Sequence, residues 1–315
     1  MDELCLVTGG AGFIGSHLVE ALTGRGKRVR VFDDLSTGLK SNLTHVRPAP
    51  ELVVGDLADA AAVARAADGA KVVYHLGALA SVARSVENPL VSHTACATGT
   101  VNVLDAARKA GARRLVYAAS SSAYGGASDP AGQREDLPLQ PLSPYAAAKL
   151  SGEMYCQAFA HTFGLETVRL RFFNIFGPRQ RADSPYSGVI AIFTAAMAAG
   201  KAPTVHGDGL QSRDFTYVGN AVQALMKAAE APGVSGNVYN VGTGANITVL
   251  DLVTALNRLL GTDLKPVHAP PRAGDVRFSR AVIDRTRAEL GYEPKVDFED
   301  GLERTLRWYR ESAVS

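Results

Sequence analysis

The chain has 315 residues, 46% of them hydrophobic and 20% charged, with a formal net charge of +2 from 33 basic and 31 acidic side chains. That length exceeds one average domain, so the sequence predicts two lobes or one large α/β domain around a sizeable core. So small a charge provides no field for nucleic acid or a membrane surface, and small molecules are the expected partners.

The N-terminus runs directly into the apolar Leu4-Cys5-Leu6-Val7, without a basic leader or a stretch long enough for a signal or a span, which predicts a cytoplasmic protein. Cys5, Cys96 and Cys156 show no CxxC or Cys/His clustering and read as reduced packing thiols. His17, His75 and His161 lack metal-ligand spacing, so no metal is expected. Short β-rich runs recur at Leu4 to Val7, Val29 to Phe32, Leu52 to Val54, Val72 to Leu76, Leu115 to Tyr117 and Thr167 to Leu170, with helical stretches between them. That rhythm predicts a Rossmann-like, doubly wound parallel sheet with helices on both faces, and its near-continuous apolar strands suit burial on both sides.

The first strand ends in Thr8-Gly9-Gly10-Ala11-Gly12-Phe13-Ile14-Gly15 and passes straight into a helical stretch. Glycines there let the backbone turn tightly against a pyrophosphate, and the new helix presents its N–H groups to it. Asp33 ends the second strand about twenty residues on, where a carboxylate accepts hydrogen bonds from a ribose diol. Asp33 and its neighbour Asp34 would repel a 2′-phosphate, which favours NAD over NADP. Asp56, after the third strand, can reach the adenine and can also cap the next helix.

Further along, Ser143-Pro144-Tyr145-Ala146-Ala147-Ala148-Lys149 places a phenol and an ammonium one helical turn apart. A phenol is protonated at neutral pH, with a pKa near ~10, so its use as a base requires nearby positive charge, which Lys149 or an oxidised nicotinamide supplies. Tyr and Lys at this spacing also occur as core ring and solvated charge, and the pair alone does not decide between the two. The run Met154 to Phe159 has helical spacing and reads as core or subunit interface. Glu303 to Arg310 reads as an amphipathic helix.

Taken in order, Gly9 to Gly15, Asp33, Gly55-Asp56-Leu57, Ser120-Ser121-Ser122-Ala123-Tyr124-Gly125 and the Tyr145/Lys149 pair resemble the extended short-chain dehydrogenase/reductases. Among them the chain is most similar to nucleotide-sugar 4-epimerases of the UDP-glucose and UDP-N-acetylglucosamine type. Arg171 to Arg179, Gly207-Asp208-Gly209, Arg213-Asp214-Phe215, Tyr239 to Gly242 and Arg272 to Val276 extend the resemblance over nearly the whole chain. It implies an NAD-binding domain over 1–175 with a returning segment at 213–242, and a smaller nucleotide-sugar lobe from 176–212 and 243–315.

The resemblance also implies roles. Tyr145, Lys149, Ser120 and Ser121 would form the catalytic group, with Tyr145 taking the proton of a sugar 4-hydroxyl while C4 gives hydride to NAD. The cofactor would meet Gly9, Gly12, Phe13, Ile14 and Gly15, then Asp33 and Asp34. Ser36, Thr37 and Gly38 would follow, then Asp56 and Leu57. Leu76, Ala78 and Phe172 would complete that site with Tyr145 and Lys149. The UDP-sugar would meet Ser81, Arg84, Ser122, Asn174 and Val189. Arg213 and Arg272 would take its phosphates, where a guanidinium binds bidentately, beside Asp275. Ser279 stands where relatives with a bulky Tyr wall off the sugar's 2-position, which implies room for an N-acetyl group.

Two departures stand out. Cys96-Ala97-Thr98-Gly99-Thr100 replaces the usual Asn-Val-x-Gly-Thr, removing an amide that supports the cofactor and touching affinity rather than reaction type. Gly219 replaces an acid before a helix, with Asn220 as the expected substitute cap. Serines 121 and 122, where a 4,6-dehydratase carries an acid pair, argue against dehydration. A UDP-glucuronate 4-epimerase or decarboxylase and a non-catalytic NAD-binding regulator are the remaining alternatives. A homodimer is expected, through the Tyr145 helix and the one near residues 90–110.

Overall fold

The computed structural model describes residues 3–125, 131–182, 188–271 and 276–312. The first half alternates strand and helix: β1 (Leu4–Thr8), α1 (Phe13–Gly24), β2 (Arg28–Asp33), β3 (Glu51–Val54), α2 (Ala60–Ala67) and β4 (Val72–His75). Short helices α3 (Val82–Glu87) and α4 (Pro89–His93) run through a π-helical turn, Thr94–Thr98, into α5 (Gly99–Lys109). Next come β5 (Arg114–Ser120), α6 (Pro144–Phe163) and β6 (Glu166–Phe172).

The remainder is built from shorter pieces: β7 (Ile175–Phe176), α7 (Val189–Ala198), β8 (Thr204–His206), β9 (Ser212–Arg213), β10 (Thr216–Tyr217) and α8 (Val218–Glu230). Then follow β11 (Asn237–Val241), β12 (Ile247–Thr248), α9 (Val249–Leu260), β13 (Val267–Ala269), β14 (Phe278–Ser279), α10 (Asp284–Leu290) and α11 (Phe298–Ser312).

Seven strands form one sheet in the order β11-β6-β5-β4-β1-β2-β3, every neighbour parallel. Parallel pairing requires crossovers, and the helices that supply them cover both faces. Val7 and Val31 with Leu18 and Leu225 fill one side, while Leu6, Leu115 and Tyr117 with Leu104 and Cys156 fill the other. A separate cluster, including Phe176, Phe193, Phe215, Leu252 and Leu302, gathers the later elements. There Leu302 and Leu306 put the apolar face of α11 inward, as its sequence pattern predicts.

The start of α6 is fixed locally. Ser143 is extended and its side chain accepts from the Ala146 N–H at 3.1 Å, Pro144 occupies the first turn, and Gly164 at φ 69° ends the helix. Tyr145 therefore sits in the first turn and Lys149 one turn further on. Two caps differ from expectation. Asp59, not Asp56, caps α2 through the Ala61 and Ala62 N–H groups, while Asp56 closes a turn onto Ala58 N–H. Asn220 does not cap α8; lying inside its first turn, it bonds the backbone of Lys295 and Val296 and clamps the C-terminal segment.

Candidate active site

At the end of β1 the chain turns on Gly9, at φ 68°, where an added Cβ would lie 2.7 Å from the Gly77 nitrogen. At Gly15 a Cβ would lie 2.1 Å from the Gly9 carbonyl oxygen, and at Gly12 3.2 Å from the same atom. No side chain caps α1 and its first turn holds no acid, so Phe13, Ile14 and Gly15 open the helix with its positive pole bare of side-chain acceptors. The buried Asp33 carboxylate accepts from Ala11 N–H at 3.0 Å and Leu35 N–H at 2.9 Å, and burial raises its pKa against those bonds.

Gly38 packs on that carboxylate. Asp34 turns away to the backbone N–H and hydroxyl of the exposed Ser36, and Thr37 is exposed beside it. Leu57 packs against Gly77 and Gly99, and the Leu76 N–H donates to the Thr8 carbonyl across β1 and β4. A tight glycine turn, a bare helix N-terminus and a strand-end carboxylate fit the pyrophosphate and ribose of a dinucleotide.

Beside this cradle, half-buried Tyr145 packs with Ala78, Leu79, Cys96, Ala97 and Ala148. Burial pushes its phenol above the ordinary range and the neighbouring Ser120 hydroxyl opposes the rise. Ser120 ends β5, and its hydroxyl accepts from the Ser122 N–H (3.2 Å) and hydroxyl (2.8 Å). Of the three serines, Ser120 is therefore the one on the phenol; Ser122 leans on Ser120, and Ser121 is half-buried in the same turn. Lys149 is buried, which lowers its pKa, and its Nζ lies 4.3 Å from the centroid of the Tyr117 ring. In this state the ring face, with its negative quadrupole, holds the lysine.

In a separate three-stranded sheet, Arg213 and Ser279 are register partners in the parallel β9–β14 pair. Asn174, at φ 32°, follows β6 and Phe172, and its carbonyl accepts from the Thr216 N–H at 3.2 Å. Val189 opens α7. Ser81 caps α3 by accepting from the Arg84 N–H at 3.2 Å, and Arg84 is half-buried. Arg272 and Asp275 lie outside the described residues. Asp214, buried beside Arg213, accepts from the N–H groups of Thr243 (2.8 Å), Gly244 (2.9 Å) and Ala281 (3.1 Å) and so ties the two strands to the end of β11.

The NAD-dependent epimerase/dehydratase family matches residues 5–242. The chain belongs to that family. As a family member it is similar to a UDP-glucose 4-epimerase of Mycolicibacterium smegmatis, 38% identical over 308 residues that cover 97% of this chain and 98% of the relative. The crystal structure of the Thermotoga maritima UDP-glucose 4-epimerase with UDP-glucose matches with a TM-score of 0.94 at 37% identity, covering 98% of this chain and 99% of that one. The UDP-N-acetylglucosamine 4-epimerase of Methanobrevibacter ruminantium, in complex with UDP-N-acetylmuramic acid, matches with a TM-score of 0.94 at 35% identity over 99% of both chains.

Two groups beside this epimerase-family site carry no motif. The Tyr117 hydroxyl donates to the Lys149 carbonyl at 3.1 Å, and His75 spans Thr8 (2.7 Å) and Thr100 (2.9 Å), tying the glycine turn to α5. Their only sequence signal is a polar or aromatic residue in an otherwise aliphatic strand. His17 bonds the Pro178 carbonyl, His161 is exposed, and among the described residues no group of three His, Cys, Asp or Glu side chains is placed to hold a metal ion. All three cysteines are free and buried, Cys96 in the π-helical turn against Tyr145. No helix among the described residues is long and apolar enough to cross a membrane.

Proposed function

We propose that the protein is a UDP-sugar 4-epimerase that retains NAD through its cycle and accepts N-acetylated sugars (UDP-GlcNAc and UDP-GalNAc) as well as UDP-glucose and UDP-galactose. The observation that carries this reading is the meeting of Tyr145, Ser120 and Lys149 beside the glycine cradle. Gly9 to Gly15 and Asp33 would hold NAD, which would supply hydride acceptance from C4 and hydride return to the opposite face, with no net redox change. Tyr145 accepts the proton of the 4-hydroxyl and later gives it back. Ser120, at the end of β5 beside the phenol, orients the reacting oxygen. Lys149, one turn along the helix, provides positive charge that favours the phenolate against its burial.

Arg213, with Arg272, holds the nucleotide diphosphate, so that binding energy sits at the unreactive end and the sugar is left free to turn over. In this reading residues 176–212 and 243–315 serve as the nucleotide-sugar lobe. A second copy of the chain covers the exposed Val82, Val86, Leu90, Val91, Met154 and Tyr155, borne on α3 and α4 and on the α6 they pack against.

The test is incubation of purified protein with a panel of UDP-sugars, UDP-glucuronate included, and NMR detection of C4-inverted products. Tyr145→Phe is expected to lower kcat by about 10²- to 10⁴-fold with NAD still bound. A near-normal rate in that variant would overturn the catalytic assignment. Inversion of UDP-glucuronate alone would favour the uronate reading, and NAD binding without any turnover would favour a regulator.

A further inference from the structure

The groups assigned above leave one buried ion pair unused. Glu153 lies on α6 one turn beyond Lys149 and two beyond Tyr145, on the same face. Arg171 lies on β6, in register with Ala119, the residue before Ser120 on β5. Arg171 Nε donates to Glu153 Oε1 at 3.0 Å and Oε2 at 3.1 Å, and Nη2 to Oε2 at 2.9 Å. Both side chains are buried, at 2% and 1% exposure, so neither has water to complete its solvation.

The pair reaches further. Arg171 Cζ stacks 4.8 Å from the centroid of Tyr124, which closes the turn holding Ser121 and Ser122. Tyr124 Oη in turn donates to Asn240 Oδ1 at 2.7 Å, and Arg171 Nη1 donates to the Glu135 carbonyl at 3.3 Å. One guanidinium thus touches the helix that carries the phenol and the turn that follows Ser120.

Stability does not explain such a pair. Desolvating two charges offsets their attraction, and replacing both by apolar residues of similar size is often neutral or stabilising. What a forked guanidinium–carboxylate contact does provide is a fixed relative position of the two elements. We infer that Glu153 and Arg171 are a positioning pair that sets the spacing of Tyr145 from Ser120, and with it the geometry of proton transfer. The inference rests on the epimerase reading above. A shift of about 1 Å in a reacting group costs on the order of 10²-fold in rate, so loss of the pair should register in turnover.

The test uses the full-length, NAD-loaded protein. The double variant Glu153→Leu/Arg171→Met removes both charges together, avoiding an uncompensated buried ion. It is expected to match the parent in melting temperature, NAD content and KM while kcat falls about 10- to 100-fold. Arg171→Lys, which keeps a buried charge pair with Glu153, is expected to recover part of that loss. A double variant within twofold of the parent kcat, a loss matched by falling NAD content or rising KM, or an Arg171→Lys variant no faster than the double variant would each overturn the assignment. A parent that inverts no UDP-sugar overturns the underlying reading instead.

Discussion

Ser279 lies beside Arg213 in the β9–β14 pair and is buried, so a larger side chain there has little solvent to escape into. In the proposed reading it leaves space at the sugar's 2-position. Ser279→Tyr is expected to lower kcat/KM for UDP-N-acetylglucosamine by about tenfold or more while UDP-glucose changes far less, as steady-state kinetics on both substrates would reveal. Equal effects on the two sugars would place the discriminating group elsewhere.

His75 makes a different prediction. Burial pushes its imidazole down to about 3, whereas the unfolded chain titrates near 6.5. Between those values the unfolded chain binds a proton that the folded one does not, so this stabilisation is complete above the upper value and lost as pH falls. His17, held down to about 4 by burial and by the Arg179 guanidinium, acts with the same sign. The melting temperature should fall from pH 7 to pH 5, and less steeply in His75→Gln. Parallel slopes would remove His75 from the account.

Among single residues, the legible ones were those whose partners lie close in sequence. Tyr145 lies one helical turn before Lys149, and Gly9, Gly12 and Gly15 fall within seven residues at the passage from β1 into α1. Tyr117 and Arg171 were not legible as site groups, because Tyr117 meets Lys149, and Arg171 meets Glu153, only after β5, α6 and β6 have packed.

At the scale of elements, α6 organises the site, and its Gly152 shows how closely it approaches the sheet. A Cβ there would lie 2.4 Å from the Tyr117 hydroxyl oxygen and 2.9 Å from Cζ. Alanine in place of glycine favours a helix by about 1 kcal/mol, but Tyr117 is fully buried and overpacking costs about 1–3 kcal/mol. The clash wins. Gly152→Ala should lower both the melting temperature and kcat, since the displaced ring lies beneath Lys149; an unchanged or raised melting temperature in thermal denaturation would contradict this.

The six strands of the first half could be read because each is a short apolar run, five of them largely buried and only the edge strand β3 half open, with Val54 exposed. The ends of elements were less legible. Asp56 and Asp59 are equally good caps in composition, and only the start of α2 chooses Asp59. Asn220 resembles a cap but is captured by the segment at 295–296, a contact that no local pattern encodes.

Over the whole molecule, the exposed apolar side chains of α3, α4 and α6 form the surface assigned to a second copy. Leu90 is 77% exposed and Val86 65%, an unfavourable state for large aliphatic groups unless something covers them. Sedimentation velocity should find dimers for the parent and monomers for a Leu90→Glu/Met154→Glu variant, while a monomeric parent would refute the assignment.

The position of β11 has a consequence for how this chain can be divided. It arrives from beyond residue 236 to close the sheet against β6, laid down more than sixty residues earlier. A chain that stopped before Asn237 would leave β6 as a raw margin, its ladder unmet and Tyr239 and Val241 missing from the interior. The protein is thus laced rather than strung: a strand made at Asn237–Val241 completes a sheet begun at Leu4, and that sheet can close only once the chain through Val241 has been made.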